Sequence, residues 1–355
     1  MVIDLMGNAF DLVHGNLNEL TQVQQNIVIF CRNWLNNTSG FEVKTSGSTG
    51  EPKTIFINRK QALASVAMTQ AALGLREGWH SLVCLDTETI AGKMMLIRSL
   101  EIGMNMHIVS PTSNPFKQFN KFTQIDFVAM VPLQIAQIIA DGDLEKLNSA
   151  RAILVGGTSI GKGLEQQMQS ITCPIYNSYG MTETVSHIAL RLMNTLQKQL
   201  AYQKLENIEI AKDARECLSI KGTVTNNEWL ETNDVVELLP NGYFQILGRI
   251  DNVVNSGGVK IQLEAIEKLI ADFFYRQTIS NKFFLTSLPN PTLGLQLVLV
   301  MEGEVWIKEK QNELLNSLHQ LCPKYKAPKL VFFVKHFLET KSQKIDRIAT
   351  RKLIY

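Results

Sequence analysis

Neither sign of charge dominates this chain. Its 355 residues hold 35 Lys and Arg against 33 Asp and Glu, a formal charge of +2, and the basic residues form no block. Without a positive field or a basic stripe, nothing steers the chain to nucleic acid. Cysteine is scarce as well. Cys31, Cys84, Cys173, Cys217 and Cys322 are scattered, odd in number and free of any C-x-x-C pair. That excludes a readable disulfide framework and a Cys/His zinc site, and leaves reduced, buried thiols. No apolar run approaches the roughly 20 residues a membrane helix needs. Residues 1–12 carry Asp4 and Asp11 in place of a basic stretch followed by an apolar core, so no signal peptide is expected. These absences point to a cytoplasmic setting.

What is present is ordinary for a globular protein: 45% hydrophobic and 19% charged residues. The length predicts two domains. From about 59 to 178, short apolar runs (Ser81–Asp86, Met106–Ser110, Phe127–Val131, Ala152–Val155, Pro174–Asn177) alternate with helical spacing over Gly92–Glu101, Pro132–Ala140 and Lys162–Ser170. Such alternation predicts an α/β sheet with ligand-facing loops beyond its strand ends. From about 205 to 250 the pattern becomes short strands and turns, as in Pro240-Asn241-Gly242, a small β-rich subdomain. Beyond Gly248-Arg249-Ile250-Asp251 a third pattern, with helices over Leu263–Phe273 and Lys308–Leu321, predicts an α+β module of about 100 residues.

The densest chemistry lies in Thr45-Ser46-Gly47-Ser48-Thr49-Gly50-Glu51-Pro52-Lys53. Two glycines free the backbone, hydroxyls and amides can face an anion, and a lysine closes the run, as in a phosphate-gripping loop. It is not a Walker loop, for no G-K-[ST] opens a helix there. Four further segments carry reactive groups. Tyr176–Thr184 follows a strand, and offers an aromatic face, a hydroxyl (Thr182) and a carboxylate (Glu183) suited to Mg²⁺. Glu231-Thr232-Asn233-Asp234 places a carboxylate where it can accept ribose hydroxyls. Gly248–Asp251 falls at the expected domain boundary, and Lys341–Arg347 puts Lys344 in a polar loop near the C-terminus. Singly, each has a bland reading: a solvated turn, a surface acid, a tail lysine. Five in this order are a different matter.

Together they resemble the acyl-adenylate-forming enzymes, the superfamily of acyl-CoA synthetases, adenylation domains and luciferases. The likeness runs from about residue 41 to the end and includes G-R-I-D-N-V-V-N-S-G-G-V-K-I-Q-L-E-A-I-E over its whole length. Within the superfamily, Y-G-M-T-E-T-V-S-H-I-A-L-R and Ile90-Ala91-Gly92 with Arg98 look most like the o-succinylbenzoate–CoA ligases of menaquinone synthesis. The resemblance implies a large AMP-binding domain over 1–248, truncated at its N-terminus, and a small mobile domain over 249–355 with its hinge near Asp251. It implies ATP, Mg²⁺ and coenzyme A, with a carboxylic acid as the other small-molecule partner, and it admits a homodimer.

Roles follow by the same resemblance. Thr45, Ser46, Gly47, Ser48, Thr49, Gly50 and Lys53 would hold the β- and γ-phosphates, Thr182 the α-phosphate and Glu183 the Mg²⁺. Tyr179 and Gly180, with Gly156 and Gly157, would flank adenine, while Asp234 would hold the ribose and Arg249 would reach the ribose or phosphate. Lys344 would bridge the acid and the α-phosphate or ribose oxygens, and Gly257 and Gly258 would line the pantetheine channel. Ser186, His187, Thr158 and Arg98 are candidates for the far end of the acid. Three departures stand out: only about 40 residues precede the phosphate loop, Thr89 stands where the family often has histidine, and Gln343 replaces a glycine. A ligase for another aromatic or short acid, and a catalytically inactive nucleotide-binding relative, remain the alternatives.

Overall fold

The computed structural model describes residues 1–44, 53–118, 124–339 and 345–354. A hairpin of β1 (Val2–Leu5) and β2 (Asn8–Asp11) precedes helix α1 (Gln22–Leu35) and a second hairpin, β3 (Gly40–Lys44) with β4 (Thr54–Asn58). The alternating segment follows as α2 (Arg59–Leu73), β5 (His80–Val83), α3 (Ile90–Ile102), β6 (Asn105–Ile108), β7 (Phe127–Met130), α4 (Pro132–Ala140), α5 (Leu144–Asn148), β8 (Ala152–Val155), α6 (Lys162–Gln167) and β9 (Ile175–Gly180). Local chemistry sets these limits. Asn58 and Gln61 cap α2 reciprocally, each side chain on the other's backbone N–H at 2.9–3.0 Å. Gly74, at φ +64°, closes the helix in the left-handed region. Pro132 occupies the first turn of α4, where its missing N–H costs nothing.

Strands β9-β8-β7-β5-β6-β1 run parallel in that spatial order. All four residues of β7 and of β8 are buried, as strands covered on both faces must be. The chain winds outward from β5 to β6 and then returns to place β7 on the other side of β5. That reversal opens a crevice at the carboxyl ends of the strands.

The β-rich stretch extends this same sheet. β10 (His187–Leu192) turns back antiparallel on β9, and β11 (Tyr202–Lys204), β15 (Tyr243–Arg249), β14 (Leu230–Leu239), β13 (Cys217–Lys221) and β12 (Glu209–Lys212) continue it to thirteen strands. The remainder is smaller: a hairpin of β16 (Val253–Ser256) and β17 (Val259–Gln262), then α7 (Leu263–Arg276), β18 (Phe283–Asn290), β19 (Gly294–Glu302), α8 (Lys308–Leu321), β20 (Leu330–Val334) and α9 (Arg347–Arg351). It has its own sheet, β18-β19-β20, and its own core, with Ile266, Ile270 and Phe274 packed on Leu297, Leu299 and Leu318. Lys162 of α6 pairs with Asp272 of α7 across the two parts. Among the described residues no helix is long and apolar enough to cross a membrane.

Candidate active site

The tight link between β9 and β10 brings the first group of residues to the crevice. Register pairs Gly180 with His187, and a Cβ on Gly180 would lie 2.1 Å from the Ser186 carbonyl oxygen. Only glycine permits that approach. Thr182–Thr184 form one 3₁₀ turn. Val185 then adopts φ +67°, ψ −51°, with the Ser186 N–H donating to the Thr184 carbonyl at 2.7 Å. This is a γ-turn of the positive-φ kind, strained for a β-branched residue, and strain of this sort collects at functional sites. It divides the loop. Glu183 is exposed, and among the described residues its carboxylate has no hydrogen-bond or ion-pair partner, whereas Ser186 and His187 turn inward.

A second group is set by the register of β14 on β15, which places Asp234 opposite Arg249. Asp234 is buried. Its Oδ2 accepts from the Tyr179 hydroxyl at 2.5 Å, and its Oδ1 lies 3.4 Å from Arg249 Nη1. Burial first, and the Asp234 carboxylate second, push the Tyr179 hydroxyl far above the usual phenol range, so it stays a donor. The Tyr179 ring packs edge-on to Phe244 and tilted on Tyr202, leaving 9% of the residue exposed. The sequence marks Tyr179 for adenine; the structure also gives it the task of holding Asp234. Arg249 reaches on to Asp251 at 2.7 Å, and Asn233 also donates to Asp251.

The third group joins three elements. Arg98 of α3 is 2% exposed. Its Nη2 donates to Ser186 Oγ at 2.7 Å and its Nε to Thr69 Oγ1 at 3.3 Å. His187, 4% exposed, contacts Thr69 Oγ1 through Nε2 at 3.1 Å and Ser186 Oγ through Nδ1 at 3.2 Å. Burial, then the Arg98 charge, hold the imidazole well below its ordinary pKa, so it is neutral at pH 7. Burial lowers Arg98 to about 10, which leaves it charged there. Among the described residues no carboxylate lies within ion-pair distance of Arg98. A buried charge of this kind calls for an anionic partner.

The other sequence candidates lie around these groups. Gly156 and Gly157 follow β8 at the crevice; a Cβ on Gly156 would fall 2.3 Å from Ser178 Oγ, and Gly157 sits at φ +89°. Thr158, next in this loop, is exposed and takes no part in the Arg98 network. Gly257 and Gly258, at φ +56° and +82°, make the turn of the β16–β17 hairpin, which demands such residues. Lys53 is exposed just ahead of β4. Thr45, Ser46, Gly47, Ser48, Thr49, Gly50 and Lys344 lie outside the described residues. Among the described residues no cluster of three or more His, Cys, Asp or Glu could hold a metal by itself. A single carboxylate such as Glu183 suits Mg²⁺, which keeps waters and is completed by phosphate oxygens. Thr69 escaped the sequence reading. Its one signal is a polar residue on the stripe Ala62, Val66, Thr69 that α2 buries.

Known proteins resemble this chain in sequence and fold. Residues 44–211 match the AMP-binding enzyme family. An acyl-CoA synthetase (AMP-forming)/AMP-acid ligase II-like protein from Dyadobacter fermentans is 38% identical, with a TM-score of 0.64, and the match covers 96% of this chain and 97% of that one. The 2-succinylbenzoate–CoA ligase of Staphylococcus epidermidis is 26% identical over 96% of this chain and 74% of its own length. The o-succinylbenzoate coenzyme A synthetase of Bacillus subtilis, solved with ATP and magnesium, shares the fold at a TM-score of 0.73 and 22% identity, over 87% of this chain and 69% of that one.

Proposed function

The chain belongs to the AMP-binding enzyme family, and we propose that it is an ATP-dependent ligase joining o-succinylbenzoate to coenzyme A through an acyl-adenylate, a step of menaquinone synthesis. The observation that carries the choice of acid is Arg98: a buried guanidinium, without an acid partner among the described residues, held beside Ser186 and His187. The ring carboxylate of the acid would rest there while the succinyl carboxylate reacts. Relatives named for that acid support the reading.

A carboxylate is a poor electrophile because its leaving group would be oxide. Attack of one carboxylate oxygen on the α-phosphorus of ATP forms the P–O bond of a mixed anhydride and expels pyrophosphate. Two anions must meet, so the chain has to neutralise charge as it develops. Asp234, fixed by Tyr179 and flanked by Arg249, would take the ribose hydroxyls. Gly156 and Gly157 let the backbone approach the base, and Thr182 would bond the α-phosphate. Glu183 would hold Mg²⁺, which when bound shares the phosphate charge. Lys344 would serve the acid and α-phosphate together, as a compact cation with several donors can. The CoA thiol then attacks the acyl carbon, AMP leaves, and Gly257 and Gly258 would border the pantetheine.

The test is kcat/KM across a panel of acids with ATP, Mg²⁺ and CoA, reading the nucleotide released. AMP and pyrophosphate are expected, with o-succinylbenzoate preferred over benzoate, 4-phenylbutyrate and short fatty acids by roughly a hundredfold or more, because those leave Arg98 unpaired. ADP as the stoichiometric product would reject the chemistry. Equal turnover of a monocarboxylic acid would reject the acid alone.

A further inference from the structure

We propose that Thr69 is the positioning residue of the acid pocket: its one hydroxyl orients both Arg98 and His187 and so sets the preference for a second carboxylate. The inference rests on the reading of Arg98 as that carboxylate's anchor.

The argument is a count of protons. Thr69 is fully buried, and its Oγ1 lies 2.8 Å from the Ser65 carbonyl, one turn earlier in α2. That is the shortest of its contacts, and a carbonyl can only accept, so the single hydroxyl proton goes there. Both lone pairs of Oγ1 are then left to accept. One takes Arg98 Nε–H at 3.3 Å and the other His187 Nε2–H at 3.1 Å. His187 is thereby fixed as the neutral tautomer protonated on Nε2, and its Nδ1 becomes an acceptor. Ser186 lies 3.2 Å from Nδ1 and donates to it, which leaves Ser186 Oγ to accept Arg98 Nη2–H at 2.7 Å. Every proton in the network has one place.

Thr69 and Ser186 thus pin the Nε–Nη2 edge of the guanidinium, which would leave Nη1 to meet the second carboxylate. Thr69, fully buried and bonded to both, acts through Arg98 and His187. Without its hydroxyl, Arg98 Nε loses its acceptor and His187 is free to change tautomer. Ser186 then no longer needs to present an oxygen to Arg98.

The experiment compares Thr69→Val, which removes the hydroxyl at similar size, with Thr69→Ser, which keeps it. In Thr69→Val the KM for o-succinylbenzoate should rise about tenfold or more, while the KM for ATP and that for 4-phenylbutyrate stay within about twofold. Thr69→Ser should behave like the parent. The imidazole ¹⁵N resonances of His187 should report protonated Nε2 in the parent and Thr69→Ser, and a tautomer mixture in Thr69→Val. Unchanged acid preference in Thr69→Val, or an equal rise for both acids, overturns the inference and leaves the function standing. A parent enzyme that does not prefer the dicarboxylic acid overturns both.

Discussion

At the scale of single residues the site is defined by polar groups taken out of water. His187 carries the clearest consequence. An unfolded histidine titrates near 6.5, and burial beside Arg98 holds the folded one well below that. As pH falls below about 6.5, the unfolded chain binds a proton that the native one refuses. This contribution to stability is therefore complete above 6.5 and is lost on going down towards the folded pKa, at about 1.4 kcal/mol per pH unit. His187→Gln, which keeps a donor for Thr69, should flatten the acid side of the stability profile by that slope. Urea unfolding of both proteins at pH 5.5, 6.0 and 7.0 measures it, and parallel profiles would refute the claim. The sequence exposed part of this site. Ser186 and His187 follow a legible motif and Arg98 a legible segment. Thr69 stands 118 positions from His187, and only the packing of α2 on α3 and β10 brings the set together.

At the scale of elements, hydrophobic spacing proved a good guide wherever it was long. Pro132–Ala140 and Lys308–Leu321 are helices over those same residues. The sequence reading does not include the α1 helix or the β1–β2 hairpin: α1 opens on the polar stretch Gln22-Val23-Gln24-Gln25-Asn26 and its buried stripe, Ile27, Val28, Cys31 and Trp34, begins only in the second turn, while four-residue strands have too few positions for a period to declare itself. The β-rich stretch is legible as short strands and turns, but the pairing of β11 on β10 and β15 that joins it to the large sheet is not visible in local sequence. Register does what motifs only suggest, setting Asp234 against Arg249 and Gly180 against His187. Gly180→Ala tests the second case. The added methyl meets the Ser186 backbone, which has no flexible end to swing aside. We expect a loss of roughly 1–3 kcal/mol in stability. Adenylation should fall more than stability alone explains, since Thr182 and Glu183 hang from the same turn. Stopped-flow pyrophosphate release at saturating ATP, set beside the unfolding midpoint, would show it; full activity would mean the loop accommodates the shift.

At the scale of the whole molecule, the large sheet and the small module have separate cores and meet at few places, among them Lys162 with Asp272 and the strand-to-turn passage through Asp251. That passage is what the proposed two-step chemistry would use. In that proposal Lys344 would serve adenylation and then make way for the CoA thiol, so the small module would turn about Asp251 between the steps. Asp251 sits in a short 3₁₀ turn, exposed, and among the described residues Asn233 and Arg249 hold its side chain. Proline there narrows φ to about −65°, a value a 3₁₀ turn accepts, and so restricts rotation. Asp251→Ala removes the same side chain and leaves φ free, which isolates the backbone effect. We expect Asp251→Pro to retain most adenylation and to slow thioester formation from pre-made acyl-adenylate and CoA by about tenfold or more relative to Asp251→Ala, a barrier change of about 1.4 kcal/mol. Lys344→Ala should do the reverse, losing adenylation by roughly two orders of magnitude or more while the thioester step survives. Single-turnover measurement of each half-reaction decides the matter. If Asp251→Pro and Lys344→Ala depress both steps alike, the small module does not alternate between them, and one arrangement of this chain carries out the whole reaction.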